Sequence, residues 1–418
     1  MPVPGFLLLL LLPAFGLSQH LLVPMDDAQT DHLRAYGLTY WCLESPDGGT
    51  CEWLLNYRGG GFVLPEAPAV RARAAALGVT VEPLSDAGRD RIQATIAEEN
   101  MERVVLEKAP KMAVYIPPTA EPWDDAVTLA LEYAQVEYAE LYDEEILQGR
   151  LAEYDWLHTH HEDFSGQFGK FWSSFRQEPW YQQQVNAAQD DARRLGYASV
   201  QELKGAVATQ IAQWVAGGGF LFAMCSACDS LDVGLAAVGV DIVPPEIDGS
   251  PLDPSAQDKL DYDVTFCFRD FRLVTDAGVN EIADIDITPP EADFVGTGAT
   301  FELFEFSAKQ DPVVTMLTQC HTLQVPDFLG LATAFDRDRL KDNVVVMGER
   351  PGTNMTKYIH ADYGDGTATY LGGHDPEDFA HVIGEDPTDL ALHKHSPGYR
   401  LILNNILFPA ARPRERKT

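Results

Sequence analysis

The chain is short of positive charge. It carries 30 Lys and Arg against 64 Asp and Glu, a formal net charge of −34. Such a surface repels phosphate backbones and anionic lipid, which excludes nucleic acid and charged membrane as partners. The acid is spread along the whole sequence, as on a solvated acidic surface, and is not gathered in a tail. Long apolar runs are lacking too. Beyond residue 18 none reaches the length of a bilayer-crossing helix. No internal repeat is visible. A dinucleotide fingerprint is also missing, because Gly59-Gly60-Gly61 lacks the strand–turn–helix context that such a motif needs and reads as a structural turn.

What is present begins with an apolar run at residues 6–12, followed by the small residues Gly16 and Ser18. The pattern predicts a signal peptide over 1–18, cleaved before Gln19, although no Lys or Arg precedes the run. A periplasmic or secreted mature chain follows, in a compartment that permits disulfides. Cysteine is sparse, with six in 418 residues. Cys42 and Cys51 flank the turn sequence Ser45-Pro46-Asp47-Gly48-Gly49, between strand-like residues 39–42 and 51–54. A cross-strand disulfide closing this hairpin and two buried thiols are the alternatives.

The length suits two domains or one large decorated one. Residues 19–107 read as a first unit, with the hairpin and a helix from about 86 to 107 capped at Ser85 or Asp86. From 108 to 408 the texture becomes α/β. Strands are predicted at 112–116, 136–141 and 154–158, and helices at 124–134, 143–149, 168–195 and 200–215. This order implies a parallel sheet with right-handed crossovers, whose ligands sit at the carboxyl ends of the strands. Residues 240–340 read as a β-rich elaboration with strands at 263–268, 271–275 and 300–306. A strand at 344–348, a hairpin at 357–371 turning on Gly364-Asp365-Gly366, a helix at 397–407 and a basic tail at 409–418 complete the chain.

The organising stretch is Gly217-Gly218-Gly219-Phe220-Leu221-Phe222-Ala223-Met224-Cys225-Ser226-Ala227-Cys228. Glycines end one helix, a short apolar strand follows, and Cys225 stands where that strand gives way to the next helix. A cysteine there gains a helix dipole that favours its thiolate, and backbone N–H groups, that of Ser226 first, that face an oxyanion. It is a candidate nucleophile, or else a packed small hydrophobe. The strand end Gly372-Gly373-His374-Asp375-Pro376-Glu377 supplies a candidate base in His374, with Glu377 or Asp375 to orient the ring. The run His158-Thr159-His160-His161-Glu162-Asp163 closes a third strand. It could bind substrate beside the thiol, or hold zinc through His158, His160, His161 and Glu162, although no cofactor is required. Cys225-Ser226-Ala227-Cys228 is also a CxxC at a helix start, the arrangement of thiol–disulfide sites. A non-catalytic binding protein built on the same cleft is a further alternative.

A strand–elbow-cysteine–helix followed much later by a strand ending in Gly-His-x-x-Glu resembles the class I glutamine amidotransferase-like, flavodoxin-like fold, over about residues 111–408. The resemblance implies Cys225 as nucleophile, His374 as base and Glu377 as its orienter. It also implies a small-molecule or peptide-like amide or acyl substrate, with Ser226, His160, His161 and Glu162 around it. In this chain the acid stands three residues after the His, and the His160-His161-Glu162 run occupies the place of the usual glycine-rich oxyanion strand end. Four stretches, 154–164, 222–227, 372–378 and 396–400, are similar to signal-peptide-bearing bacterial proteins often labelled asparagine synthetase B. The chain has no Ser-Gly-Gly-x-Asp-Ser loop for ATP and Pro at position 2, so the chemistry of that label is not expected here.

Overall fold

The computed structural model of the chain describes residues 20–45, 49–119, 122–287, 299–380 and 383–411. The expected signal peptide and most of the basic tail lie outside these residues. Two sheets organise the molecule. The first has five antiparallel strands, β1 (His20–Val23), β2 (Cys51–Leu55), β3 (Gly61–Pro65), β4 (Glu82–Leu84) and β5 (Glu102–Leu106), in the order β4-β1-β3-β2-β5. The second has ten: β6 (Met112–Tyr115), β7 (Ala139–Leu141), β8 (Trp156–Thr159), β9 (Phe220–Met224), β10 (Thr300–Leu303), β11 (Gln324–Pro326), β12 (Phe335–Asp336), β13 (Val345–Glu349), β14 (Met355–Tyr363) and β15 (Gly366–Leu371). Its order is β11-β10-β13-β14-β15-β9-β8-β6-β7, with β12 paired to β14. The five strands from β15 to β7 are mutually parallel and the rest are antiparallel. The fold is thus α/β with a mixed sheet.

The parallel strands are apolar on both faces because helices cover both. Along β9, Phe222 and Met224 join one buried cluster while Leu221 and Ala223 join the other, as the twofold alternation of a strand requires. On one side lie the helices His32–Glu44, Ala126–Ala134 and Pro397–Leu407; on the other lie Val200–Ala216 and Ala227–Ala236. The helix Val200–Ala216 starts where the Ser199 hydroxyl accepts from the Glu202 N–H, and it ends at Gly217. Gly219 is obligatory for packing, since a Cβ there would meet the Trp214 ring at 2.4 Å.

The first sheet shares its core with the second, through Trp53, Phe62 and Tyr36 on one part and Met112, Leu401 and Ile406 on the other. Polar stitches fix the join. The buried Arg400 guanidinium donates to the carbonyls of Met25 (3.1 Å) and Gly59 (2.8 Å), and the Tyr36 hydroxyl donates to Asn404 Oδ1.

Several expectations are corrected. Residues 39–42 belong to the helix His32–Glu44, capped by the Asp31 side chain, so Cys42 and Cys51 do not close a hairpin. They are buried thiols joined by a hydrogen bond, one at a helix end and one opening β2. The helix expected to reach 107 stops at Glu98, and β5 follows to pair with β2. The helical stretch 168–195 is broken, with its long helix running Pro179–Leu195. Residues 263–268 and 271–275 form a short turn of helix and isolated bridges, Phe268 to Leu340 and Leu273 to Ala283. The buried Asp232 carboxylate holds this elaboration by accepting the N–H groups of Phe266 and Cys267. Among the described residues no helix is long and apolar enough to cross a membrane.

Candidate active site at the carboxyl edge

Because β6, β8, β9 and β15 run parallel, their carboxyl ends share one edge of the sheet. Each delivers polar side chains there: Asp124 and Asp125 after β6, His160 to Asp163 after β8, Cys225 and Ser226 after β9, and His374 and Asp375 after β15. Backbone hydrogen bonds lock the ends together. The Cys225 N–H donates to the Gly373 carbonyl (3.1 Å) and the Ala227 N–H to the His160 carbonyl (2.9 Å). The Ser226 hydroxyl donates to the His161 carbonyl (2.7 Å).

Cys225 occupies the left-handed region at φ +51, a conformation that non-glycine residues seldom adopt and that costs about 1–2 kcal/mol. The helix Ala227–Ala236 begins immediately after Ser226. The expected elbow is therefore present. The thiol is 5% exposed. Burial pushes its pKa up to about 12; the N–H groups of Ser226 and Leu331 pull it down, and the carboxylates of Asp229 and Asp286 push it up. Cys228 lies wholly inside its helix, where burial pushes its thiol well above the usual range, and its Sγ faces the Leu371 carbonyl.

The imidazoles crowd the same edge. His160 stacks on His161 with ring centroids 4.1 Å apart, and His374 packs edge-on against both at 4.7 Å. His374 is fully buried, with Asp124 Oδ1 3.9 Å from its Nε2. No helix follows it. The Asp375 carboxylate accepts the Glu377 N–H (2.8 Å) and the Tyr399 hydroxyl (2.8 Å), which turns the chain instead. Glu377, expected to orient His374, is taken by His393 at 2.8 Å.

The acid that serves the histidine cluster is Asp125. Its carboxylate lies 3.2 Å from His160 Nδ1 and 3.4 Å from His158 Nε2. Burial pushes its pKa up, yet the charges of His160 and His158 prevail and hold it well below the usual carboxylate range. The other nitrogen of His158, Nδ1, faces the Phe222 carbonyl at 3.0 Å, and burial lowers the pKa of this ring against the pull of Asp125. His160 is 1% exposed and, the approach of Asp125 to its Nδ1 aside, neither ring nitrogen has a hydrogen-bond partner among the described residues. The Nε2–H of His161 donates to the Asp124 carbonyl (2.7 Å). Ligand atoms of His160, His161 and Cys225 lie within 4.8 Å of one another, as do those of Asp125, His158 and His160. Either donor set suits zinc.

Glu162 leaves the histidines for a buried ammonium. Lys204 Nζ lies 3.6 Å from its carboxylate, 3.2 Å from Asp143, and 2.8 Å from the Tyr115 hydroxyl. Burial, moderated by Lys204, pushes the Glu162 pKa up to about 7. A cleft of about 400 Å³ opens beside these groups, lined by Trp123, Asp125, Tyr138, His160, His161 and Glu162. Asp125, Lys204 and the Leu331 N–H were not singled out from the sequence. Only Asp125 had a signal, as a helix cap next to a predicted start.

No protein-family profile matches the chain, and no curated protein matches it. Among solved structures it is similar to two proteins of Salmonella typhimurium, each titled a cytoplasmic protein. One shows 12% identity and a TM-score of 0.36, covering 72% of this chain and 100% of that one. The other, from strain LT2, shows 10% identity and a TM-score of 0.38, covering 72% and 99%.

Proposed function

We propose that this cleft hydrolyses an amide or related acyl bond of a small-molecule or peptide-like substrate, in a periplasmic or secreted chain of class I glutamine amidotransferase-like fold. The parallel order β7-β6-β8-β9-β15 supports the fold reading, since it is the flavodoxin-like order 2-1-3-4-5 with later strands inserted before the fifth. One observation carries the chemistry. His160 has the Asp125 carboxylate 3.2 Å from its Nδ1 and the thiol of Cys225 within 4.8 Å of a ring nitrogen. These three groups supply the nucleophile, base and orienting acid that a catalytic triad needs. This assigns the base to His160 in place of His374, and the orienting acid to Asp125 in place of Glu377.

Burial disfavours a preformed thiolate, so the reading has sulfur attack as His160 removes its proton. The imidazolium, stabilised by Asp125, then returns that proton to the leaving amine as the carbon–nitrogen bond breaks. Water, deprotonated by the same ring, cleaves the thioester. The N–H groups of Ser226 and Leu331, which face the Cys225 sulfur, would serve the oxyanion. His374 supports the ring of His160 by packing on it. The reading requires no cofactor, and it leaves Cys228 with a structural role.

The test is hydrolysis of an activated ester, 4-nitrophenyl acetate, together with iodoacetamide labelling. Cys225→Ala should abolish turnover, and His160→Asn should lower kcat by roughly 10²–10⁴. His374→Asn should cost less. Wild-type turnover in Cys225→Ala would overturn the proposal.

A further inference from the structure

We propose that His160, His161 and Cys225 also form a site for a soft divalent cation, zinc being the one their donors fit, and that its binding switches the hydrolytic site off. The switch rests on the reading of Cys225 as nucleophile. The site itself rests on geometry. Three ligand atoms converge within 4.8 Å, from two imidazoles and a thiol. Two imidazoles and a thiolate are borderline-soft donors, and three protein ligands with the fourth position left to water is the pattern of an open zinc site. His160 and His161 both line the cleft, which supplies that open side.

The surroundings have the form of a metal's outer shell. A ligating histidine presents one nitrogen to the metal and donates the other N–H to a carboxylate or carbonyl, which fixes its tautomer. Here Nδ1 of His160 lies 3.2 Å from the Asp125 carboxylate as an ion-pair approach, and the buried Nε2 has no hydrogen-bond partner among the described residues. His161 uses Nε2–H on the Asp124 carbonyl at 2.7 Å, so its ligating nitrogen would be Nδ1. Each ring thus has an oxygen of the loop after β6 behind it, hydrogen-bonded in the case of His161. A buried polar nitrogen without a partner is costly, and a cation shared with the thiolate would satisfy it. Zinc displaces the thiol proton to solvent, forming a sulfur–zinc bond. It thereby occupies both the nucleophile and the lone pair that would accept its proton.

Cobalt(II), which adopts the same coordination and is coloured, is the probe. The full chain, stripped with EDTA and desalted, is titrated with cobalt and, separately, with zinc, while ester hydrolysis is followed. One cobalt per chain should bind with a near-ultraviolet thiolate charge-transfer band. The band should vanish in Cys225→Ser, and Asp125→Asn should weaken binding roughly 10- to 100-fold. Zinc should silence hydrolysis in step with occupancy, and EDTA should restore it. Should Cys225→Ser fold poorly, His161→Ala serves, and the wild-type cobalt spectrum alone reports the thiolate bond. No stoichiometric binding, or binding without the thiolate band, overturns the site and leaves the hydrolase reading standing. A stripped enzyme that is inert and gains activity with zinc keeps the site but overturns both the switch and the thiol mechanism.

Discussion

Asp125 does two jobs that substitution can separate. Its Oδ1 accepts the N–H groups of Val127 (2.7 Å) and Thr128 (3.0 Å), which caps the helix Ala126–Ala134. The same carboxylate sits 3.2 Å from His160 Nδ1 and 3.4 Å from His158 Nε2. Asparagine caps a helix about as well as aspartate, so Asp125→Asn should lose only a few tenths of a kcal/mol there. Asp125→Ala loses the cap, about 1 kcal/mol, and strips two buried imidazole nitrogens of their polar neighbour, about 1–3 kcal/mol more. The alanine variant should therefore be about 2–4 kcal/mol less stable than wild type. Activity should not follow that order. Both variants remove the negative charge beside His160, and loss of an orienting carboxylate lowers kcat by up to about 10⁴, near 5 kcal/mol of barrier. Urea unfolding followed by tryptophan fluorescence gives the stabilities, and ester hydrolysis gives the rates. An Asp125→Asn variant that turns over at the wild-type rate refutes the triad. One that is as unstable as Asp125→Ala refutes the division of labour.

Three other perturbations probe the frame. His360 is 3% exposed and burial lowers its pKa to about 4, below the unfolded value of about 6.5. Its unfolded form therefore binds the proton first, so stability is complete above the unfolded pKa and falls as pH drops toward the folded one. The loss is about 2 kcal/mol by about pH 5. His360→Gln should flatten the dependence of the urea midpoint on pH, and an unchanged slope would sink the assignment. Lys204→Met would strand the buried carboxylates of Asp143 and Glu162 and should cost about 3–5 kcal/mol, partly recovered by adding Asp143→Asn. A neutral single variant would mean that this cluster is wetter than it looks. At Gly372 a Cβ would meet the Thr333 carbonyl oxygen at 2.4 Å, backbone against backbone. Gly372→Ala should lose about 1–3 kcal/mol and dim hydrolysis by displacing the strand end that carries His374, whereas wild-type behaviour would show that edge to be slack.

What was legible in the sequence is what local signals encode. The strand Phe220–Met224, the elbow at Cys225, the strand before Gly372 and the capped helix Pro397–Leu407 all carry their own period and punctuation. Residues 39–42 carried a misleading one. Thr39, Tyr40 and Trp41 favour strands, but Asp31 caps a helix through them and their neighbours pack against the helices Ala126–Ala134 and Pro397–Leu407. β5 was hidden for the opposite reason, because its partner β2 lies some fifty residues away and only pairing makes it a strand. Asp375 and Glu377 suit the first turn of a helix. Asp375 instead spends its carboxylate on Tyr399, which no window around residue 375 contains.

The same limit explains why the structure gives His374 and Glu377 other neighbours than the sequence suggests. Proximity in the sequence joined His374 to Glu377, whereas strand order joins His160 to Asp125. β6 and β8 are neighbours in the sheet, so whatever follows β6 faces whatever follows β8. Electrostatics then selects among the groups that meet. Burial first, and the nearby Asp229 and Asp286 after it, disfavour a free thiolate at Cys225. Two partners can take the thiol proton's place or the proton itself: a base already in position, or a cation. His160 is central to both, as the imidazole that Asp125 approaches at Nδ1 and whose Nε2 has no hydrogen-bond partner among the described residues. Hydrolysis and metal binding therefore compete for one nitrogen, and a variant at His160 should lose the two together while one at His161 loses chiefly the metal.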